Sequence, residues 1–250
     1  MSILVLGATG FIGKYFCVNS KLKNIIKTSR KKKKGYIKFD LIKNNIEPLI
    51  EKYNIKKVIF FSAISNPKKC EENVNYSRLV NVKKSKELLN FLLKKNIYFI
   101  FFSSEYVFDG NKKNYKENSF RKTKLIYGQQ KILIENFLKK NRNKNFSILR
   151  IAKTYGDQIG DNSIFTSIVK LKKKHNIVYS ANDQYFSALY VKDLIKVIDI
   201  SITKNIKGLF NVCGDENLSR YQYLKILCNE LNLNKIKIKK GKLKKLSKNN

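Results

Sequence analysis

The chain has 250 residues, 43% of them hydrophobic, which argues against disorder and suffices for one α/β domain with or without a small added lobe. The formal net charge of +35 makes nucleic-acid binding through bulk charge one interpretation. We favour a general lysine bias, because no zinc-finger, RNA-recognition or helix-turn-helix signature occurs and the basic run Lys31 to Lys34 falls in an expected loop. We therefore expect no specific nucleic-acid partner.

The cysteine pattern argues against a metal site. None of the four cysteines form a C-x-x-C pair and the chain has one histidine, so we expect no bound metal. Free thiols are typical of a reducing compartment. A strand pattern begins at once without a signal peptide, and no apolar run reaches membrane-spanning length. We expect a soluble, cytoplasmic protein that does not bind a membrane.

The first half of the chain alternates short apolar runs with amphipathic stretches. Both faces of the runs are apolar, as in buried parallel strands. The predicted strands are Ile3 to Leu6, Ile25 to Ile26, Val58 to Phe61, Tyr98 to Phe102 and Phe146 to Ile151, and the predicted helices include Tyr76 to Leu93 and Gln129 to Leu138. This alternation predicts a Rossmann-type α/β fold, a doubly wound parallel sheet.

After Tyr155 the pattern becomes looser and more mixed. We predict helices at Ile164 to Lys173, Leu194 to Ser201 and Arg220 to Leu231, and a strand at Leu209 to Val212. The predicted domains are an NAD(P)-binding Rossmann core over 1–155, to which 190–212 returns, and a smaller substrate-binding lobe built from 156–189 and 213–250.

A glycine-rich turn directly follows the first strand and opens a helix. In G-x-x-G-x-x-G form, the first glycine allows the tight turn, the second lets a pyrophosphate approach the backbone, and the third lets helix and strand pack closely. The helix N-terminus directs its N–H groups at the phosphates. An ordinary strand-to-helix turn is the alternative. The residues expected to contact a dinucleotide are Gly7, Thr9, Gly10, Phe11, Ile12 and Gly13.

The end of the second strand bears on the choice of cofactor. NAD sites usually place an acid about 20 residues after the glycine turn, but here the strand ends in Ser29 and Arg30 and no acid occurs before Asp40. A hydroxyl and a guanidinium suit the 2′-phosphate, so we expect NADP(H) rather than NAD(H). The alternative is that Arg30 only begins the solvated basic run.

A catalytic pair is predicted at the start of a helix. Tyr127 and Lys131 are four apart and share a helix face, where an ammonium lowers the pKa of a phenol. Upstream, Ser103 and Ser104 end an apolar strand, and ligands bind at that edge of a parallel sheet. The alternative, a surface tyrosine beside a solvated lysine, is weakened by the order glycine turn, serines, tyrosine, lysine.

These motifs resemble an extended short-chain dehydrogenase/reductase, and within that superfamily the dTDP-4-dehydrorhamnose reductases. Residues 103–110 are similar to their S-T-D-Y-V-F-D-G segment, and Tyr115 to Glu117 to their Y-x-E. Asn162 to Phe165, Asp183-Gln184 and Phe210 to Gly214 resemble segments of their second half. The resemblance runs from Ile3 to about Leu231.

The resemblance implies roles for the matched positions. Ser104, Tyr127 and Lys131 become the catalytic triad, and Tyr127 and Lys131 also contact the cofactor. Asn81 becomes a helix asparagine that supports the catalytic lysine through backbone and water. The other implied cofactor contacts are Ser62 and Ala63 after the strand at 58–61, and Asp40 and Leu41 beside the adenine.

The chain departs from the reductases at several positions. Thr123 replaces a proline, Gln130 replaces a small residue before Lys131, and Ser187 to Leu189 replaces a proline-containing run. The chain also stops soon after the last predicted helix, without the family's usual C-terminal segment. These departures affect the choice of sugar more than the hydride chemistry.

The resulting hypothesis is an NAD(P)-dependent oxidoreductase that reduces a nucleotide-linked keto-deoxy sugar, with Tyr127 as general acid. One alternative is a nucleotide-sugar epimerase or dehydratase on the same fold, although a dehydratase typically has an acid pair where this chain has Glu105 and Tyr106. Another is a non-catalytic dinucleotide-binding regulatory subunit. A homodimer is compatible with each.

Overall fold

The structure, a computed structural model, describes residues 2–112, 114–158, 161, 163, 165, 177–233 and 235–243. The chain divides into two compact units, one comprising Met1–Ile151 and Lys192–Val212 and the other Ala152–Val191 and Cys213–Asn250. The helix predicted at 164–173 lies outside the described residues except for Phe165, as does the matched Asn162.

The first unit is built on a parallel sheet whose described part has seven strands. Their bounds are β1 Ser2–Leu6, β2 Ile25–Ser29, β3 Ile37–Lys38, β4 Ile55–Phe60, β5 Tyr98–Ser104, β6 Phe146–Ile151 and, further along the chain, Gly208–Val212. The last is named β11, because four strands of the second unit precede it. The order across the sheet is β11-β6-β5-β4-β1-β2-β3, and every pairing is parallel. This order confirms the predicted doubly wound Rossmann-type fold.

The helices of the first unit connect these strands. They are α1 Phe11–Asn19, α2 Glu47–Lys52, α3 Pro67–Glu72, α4 Val74–Arg78, α5 Ser85–Lys94, α6 Ile126–Lys140 and α7 Val191–Lys204. The helix predicted from Tyr76 to Leu93 consists of α4, a π-helical segment Leu79–Lys84, and α5. A short 3₁₀ turn, Glu105–Val107, follows β5. Every residue of β5 is buried, because helices cover both faces of the sheet.

Polar side chains close the amino-terminal edge of the sheet, opposite the edge where ligands bind in such folds. Lys57 of β4 is buried and donates to the carbonyl of Ile202, in the last turn of α7. The hydroxyl of Tyr98, the first residue of β5, donates to Ile206 O at 2.6 Å. An ammonium at a helix C-terminus satisfies carbonyls that the helix leaves free.

The second unit is smaller and mixed. Its described strands are β7 Thr154–Tyr155, β8 Ile177–Ala181, β9 Tyr185–Phe186, β10 Leu189–Tyr190, β12 Leu218–Ser219 and β13 Lys237–Gly241, with helix α8 Arg220–Glu230. β7 and β10 pair in parallel, as do β8 and β13, whereas β9 and β12 are antiparallel. Ser219 and Gln222 form a capping box at the start of α8. The core gathers around Phe186, Leu224 and Cys228.

In the described part of the chain, no helix combines the length and apolar character needed to cross a membrane. Among the same residues, no three His, Cys, Asp or Glu side chains come together in a group that could hold a metal ion.

Candidate functional site

The glycine turn lies at the carboxyl edge of the sheet, where the strand order reverses between β1 and β4. Gly7 follows β1 with φ of +84°, a backbone conformation that favours glycine. A Cβ on Gly7 would lie 2.8 Å from Ser62 N and 2.9 Å from Ser62 Oγ, in the loop after β4. The turn therefore requires glycine both for its conformation and for the close approach of Ser62. Ligands of doubly wound sheets bind at this reversal point.

The second and third glycines differ in what the protein itself requires of them. A Cβ on Gly13 would lie 2.4 Å from Gly7 O, so α1 packs on the turn only with glycine there. On Gly10 the nearest heavy atom would be 3.4 Å away, and Gly10 is exposed. Gly10 is the N-cap of α1 and supplies no side-chain cap. The bare first turn of α1 fits an anionic group such as a pyrophosphate.

The predicted contacts at the end of β2 separate into buried and exposed residues. The hydroxyl of Thr28 donates to Val5 O at 3.0 Å, and Ser29 is buried. Arg30 follows β2 and is exposed. Beyond it, the ammonium of Lys33 lies 4.5 Å from the ring centroid of Tyr36, within a tight turn closed by the Lys33–Tyr36 bridge. Arg30 is therefore the exposed cation that directly follows β2, as the predicted contact with a cofactor phosphate requires.

Asp40 and Leu41 follow β3 and shape a loop. Oδ1 of Asp40 accepts a hydrogen bond from Ile42 N at 2.8 Å, and Asp40 N donates to Asn44 Oδ1 at 2.7 Å. Leu41 lines a cavity of about 290 Å³ together with Lys84 and Phe91. One carboxylate oxygen of Asp40 is thus used to hold its own loop.

The two serines at the end of β5 have different partners. Ser103 donates to Glu135 Oε1 at 2.6 Å and is buried, so its hydroxyl is engaged within the fold. Ser104 Oγ accepts from Tyr106 N at 3.3 Å and caps the 3₁₀ turn. The geometry therefore favours Ser104 as the serine available to a ligand.

Tyr127 and Lys131 lie in the first two turns of α6, against the end of β5. Lys131 Nζ donates to Phe102 O at 2.7 Å and lies 5.5 Å from the ring centroid of Tyr127. A Cβ on Gly128 would lie 2.0 Å from Tyr106 O, so α6 approaches the 3₁₀ turn closely only because this residue is glycine. The Tyr106 and Tyr127 rings meet edge to face with centroids 6.2 Å apart. The structure thus places Tyr127 and Lys131 side by side against the end of β5, the strand that ends in Ser104.

The pKa values in this cluster are dominated by burial. Burial raises the pKa of Tyr127 well above its ordinary value, and Cys70 and Tyr106 add to the rise. Burial lowers the pKa of Lys131 to about 8, and Cys70 and Glu135 oppose that change. The pKa of Tyr127 is therefore raised rather than lowered as expected from Lys131, because burial and the neighbouring Cys70 and Tyr106 all raise it.

The predicted Asn81 is buried in the π-helical segment. Its Oδ1 accepts from Ile64 N at 2.9 Å, and its Nδ2 donates to Ile64 O at 3.0 Å and to Gln130 Oε1 at 2.7 Å. Ile64 directly follows Ser62 and Ala63, both partly exposed in the loop after β4. Asn81 therefore holds that loop, and its link to α6 runs through Gln130.

The sequence did not predict a buried ionic cluster that lies beside Ser103. Arg150 of β6 donates to both oxygens of Glu135, from Nε at 2.9 Å and from Nη2 at 2.7 Å. Arg121 Nη1 donates to Glu135 Oε2 at 2.8 Å. Two signals were available: Glu135 lies one helical turn beyond Lys131, and Arg150 interrupts an apolar strand.

The segment between β5 and α6 is attached to β11. Glu117 Oε1 accepts from Asn211 N, and Asn211 Nδ2 donates to Tyr115 O, both at 2.9 Å. Arg150 Nη1 donates to Glu117 O at 3.0 Å. The Y-x-E segment and the segment beginning at Phe210, noted separately in the sequence, therefore meet in space.

Comparison with known proteins places these features in a family. A family model described as RmlD substrate binding domain matches residues 1–248. Methionine adenosyltransferase 2 subunit beta from Xenopus tropicalis is 26% identical over 196 residues, covering 75% of this chain and 58% of that protein. dTDP-4-dehydrorhamnose reductase from Aggregatibacter actinomycetemcomitans is 26% identical over 188 residues, covering 72% and 63%. The chain thus matches less than two thirds of the length of these two relatives.

Solved structures show the same fold. dTDP-4-dehydrorhamnose reductase from Bacillus anthracis in complex with NADP aligns with a TM-score of 0.86 at 21% identity, covering 98% of this chain and 86% of that chain.

Proposed function

The chain belongs to the RmlD substrate binding domain family, as its resemblance to dTDP-4-dehydrorhamnose reductases predicted, and we propose that it is an NADP(H)-dependent reductase of a nucleotide-linked keto-deoxy sugar. The observation that carries the proposal is that Tyr127 and Lys131 of α6 lie against the end of β5, the strand that ends in Ser104. Ser104, Tyr127 and Lys131 are 6%, 7% and 4% exposed and lie around the end of β5, on the same sheet edge as the glycine turn. Buried titratable groups at the ligand-binding edge of a parallel sheet are typical of an active site.

The chain supplies the parts that a ketone reduction needs. Bound NADPH would provide the hydride for the ketone carbon. Ser104 donates a hydrogen bond to the carbonyl oxygen, and Tyr127 gives that oxygen its phenolic proton. Because burial raises the pKa of Tyr127, the phenol holds its proton until the oxygen becomes basic. Lys131, when charged, stabilises the phenolate that remains and binds the ribose hydroxyls.

Arg30 supports the choice of NADP(H). It is exposed at the carboxyl end of β2, which pairs with β1 beside the glycine turn. A guanidinium there can bind a 2′-phosphate through two hydrogen bonds. The first acid after this strand, Asp40, uses one oxygen to hold Ile42 N, so it is a weaker candidate for a ribose diol.

A second candidate function is a dinucleotide-binding regulatory subunit, because methionine adenosyltransferase 2 subunit beta is a relative. In that case the protein binds NADPH without consuming it. An epimerase or dehydratase, the third candidate, regenerates its cofactor within one cycle.

One experiment separates these candidates. The purified protein is mixed with NADPH and a panel of nucleotide-linked 4-keto-6-deoxy sugars, and cofactor oxidation is followed together with cofactor binding. We expect net oxidation with at least one sugar, and a roughly 100-fold or larger loss in Tyr127→Phe. Tyr76→Phe, which changes an exposed tyrosine, is the matched control and should keep full activity. Binding without oxidation would favour the regulatory subunit, and sugar conversion without net oxidation would favour the epimerase.

A further inference from the structure

Three buried amide and hydroxyl side chains link the catalytic helix to the loop after β4. Gln130 of α6 is 3% exposed, and its Nε2 donates to Ser77 Oγ at 2.8 Å. Its Oε1 accepts from Asn81 Nδ2 at 2.7 Å, and Asn81 is bonded to both the N–H and the carbonyl of Ile64. The path from α6 to Ile64 thus runs through the Gln130 and Asn81 side chains, and Ser77 holds the other end of the Gln130 amide.

The orientation of each amide in this link is determined by its partners. Ile64 N can only donate, so Asn81 presents Oδ1 to it and Nδ2 to Ile64 O. The same Nδ2 then reaches Gln130, which must accept through Oε1 and presents Nε2 to Ser77. In a buried setting each of these bonds is costly to leave unmade, so the set has one low-energy arrangement.

Both ends of the link carry residues of the proposed site. Gln130 directly precedes Lys131 and lies three residues after Tyr127, and Ile64 directly follows Ser62 and Ala63. Ser62 in turn packs against the position where a Cβ on Gly7 would stand. The proton donor and the cofactor turn are therefore connected through Gln130 by a short series of contacts.

We propose that Gln130 is a positioning residue that sets the distance between Tyr127 and Lys131 on α6 and the cofactor loop at Ser62 to Ile64, acting through Asn81. This inference rests on the proposed function for its catalytic consequence. Misplacement of reacting groups by about 1 Å can cost about 100-fold in rate, so a fixed spacing matters for hydride transfer.

The test compares Gln130→Met with Gln129→Met. Methionine at 130 has a similar size and no hydrogen bonds, whereas Gln129 is exposed on the same turn of α6 and is the matched control. Hydrogen exchange is measured on segments 61–66 and 126–134. We expect Gln130→Met to increase exchange in both segments, although their nearest ends are 60 positions apart in sequence, and Gln129→Met to leave segment 61–66 unchanged.

The catalytic readout is the division of the effect between kcat and KM. Gln130→Met should lower kcat by about tenfold and leave the NADPH dissociation constant within about threefold, because Asn81 keeps both bonds to Ile64. In an Asn81→Ala background, Gln130→Met should lower kcat by a smaller factor than in the wild type, because both changes interrupt the same link. If Gln130→Met does not fold, Gln130→Ala removes the same hydrogen bonds with a smaller side chain and should change exchange and kcat in the same direction.

The outcomes separate the inference from the proposed function. Increased exchange confined to 126–134, or unchanged kcat with increased exchange in both segments, would overturn the positioning role. If the wild type itself oxidises no NADPH with any sugar, the proposed function fails, and the exchange measurement alone then decides whether Gln130 couples the two segments.

Discussion

Replacing Glu135 by Gln tests whether the buried ionic cluster holds the end of β5 to α6. The carboxylate accepts from Ser103, from two nitrogens of Arg150 and from Arg121, and the Glu135 and Arg150 side chains are 0% and 1% exposed. Glutamine keeps the size but removes the negative charge between two guanidinium groups. Breaking a buried ion pair from one side costs about 3–5 kcal/mol, and we expect a loss in that range at neutral pH.

The pH dependence of this loss has a definite sign. The two arginines and the Ser103 hydroxyl hold the pKa of Glu135 below its ordinary value of 4.5 although burial opposes them. A carboxyl with a depressed folded pKa stabilises the fold fully above its unfolded pKa, and this contribution disappears as the pH falls through the folded pKa. The difference in unfolding free energy between wild type and Glu135→Gln should therefore be largest near pH 7 and shrink below pH about 4.

Urea unfolding at pH 7 and at lower pH measures this difference. The control is Glu87→Gln, which breaks an exposed ion pair with Lys84 and should cost less than about 1 kcal/mol. A Glu135→Gln loss no larger than that of the control, or a loss independent of pH, would refute the reasoning.

Three further predictions concern the cofactor site. Gly7→Ala should lower the melting temperature, because residue 7 has a positive φ and a Cβ there would meet Ser62. Gly10→Ala should leave the melting temperature unchanged and weaken NADPH binding. Arg30→Ala should weaken NADPH binding by about tenfold and NADH binding by less, as measured by cofactor fluorescence titration. Because Lys131 has a pKa of about 8, NADPH binding should weaken as the pH rises above 8, and Lys131→Arg should move that loss to higher pH. A flat pH profile in the wild type would contradict the last prediction.

The elements that the sequence predicted well are those in which local pattern and burial agree. The runs at 98–102 and 146–151 lie inside β5 and β6, and the glycine turn joins β1 to α1. The prediction of one helix from Tyr76 to Leu93 was only partly correct, since a π-helical segment that contains Asn81 separates α4 from α5. Hydrophobic periodicity does not reveal a π-helical segment, because we expect such a segment to depend on tertiary contacts such as the hydrogen bonds between Asn81 and Ile64.

The local sequence pattern could not predict side-chain partners that come from different helices and strands. The strand pattern alone does not separate Ser103 from Ser104, and only the family resemblance selected Ser104; in the structure Ser103 is engaged by Glu135. The pKa of Tyr127 was expected to fall because Lys131 is four residues away, but spacing along a helix contains no information about desolvation. Arg150 was overlooked because its partners Glu135 and Glu117 come from other parts of the chain.

The burial of Tyr127 and Lys131 favours catalysis over simple dinucleotide binding. Burying a lysine so that its pKa falls to about 8 is costly, and the ammonium is met by one backbone carbonyl rather than by a carboxylate. Glycines and a bare helix N-terminus suffice to bind a pyrophosphate, and Gly7, Gly10 and Gly13 supply these without any contribution from α6. Lys131 can also contact the dinucleotide, but a subunit that only binds the dinucleotide has no need of the buried phenol of Tyr127, whereas a reductase needs a proton donor beside the reacting carbon. The buried Tyr127 beside Lys131 is therefore our argument for proposing a reductase rather than a subunit that only binds the dinucleotide.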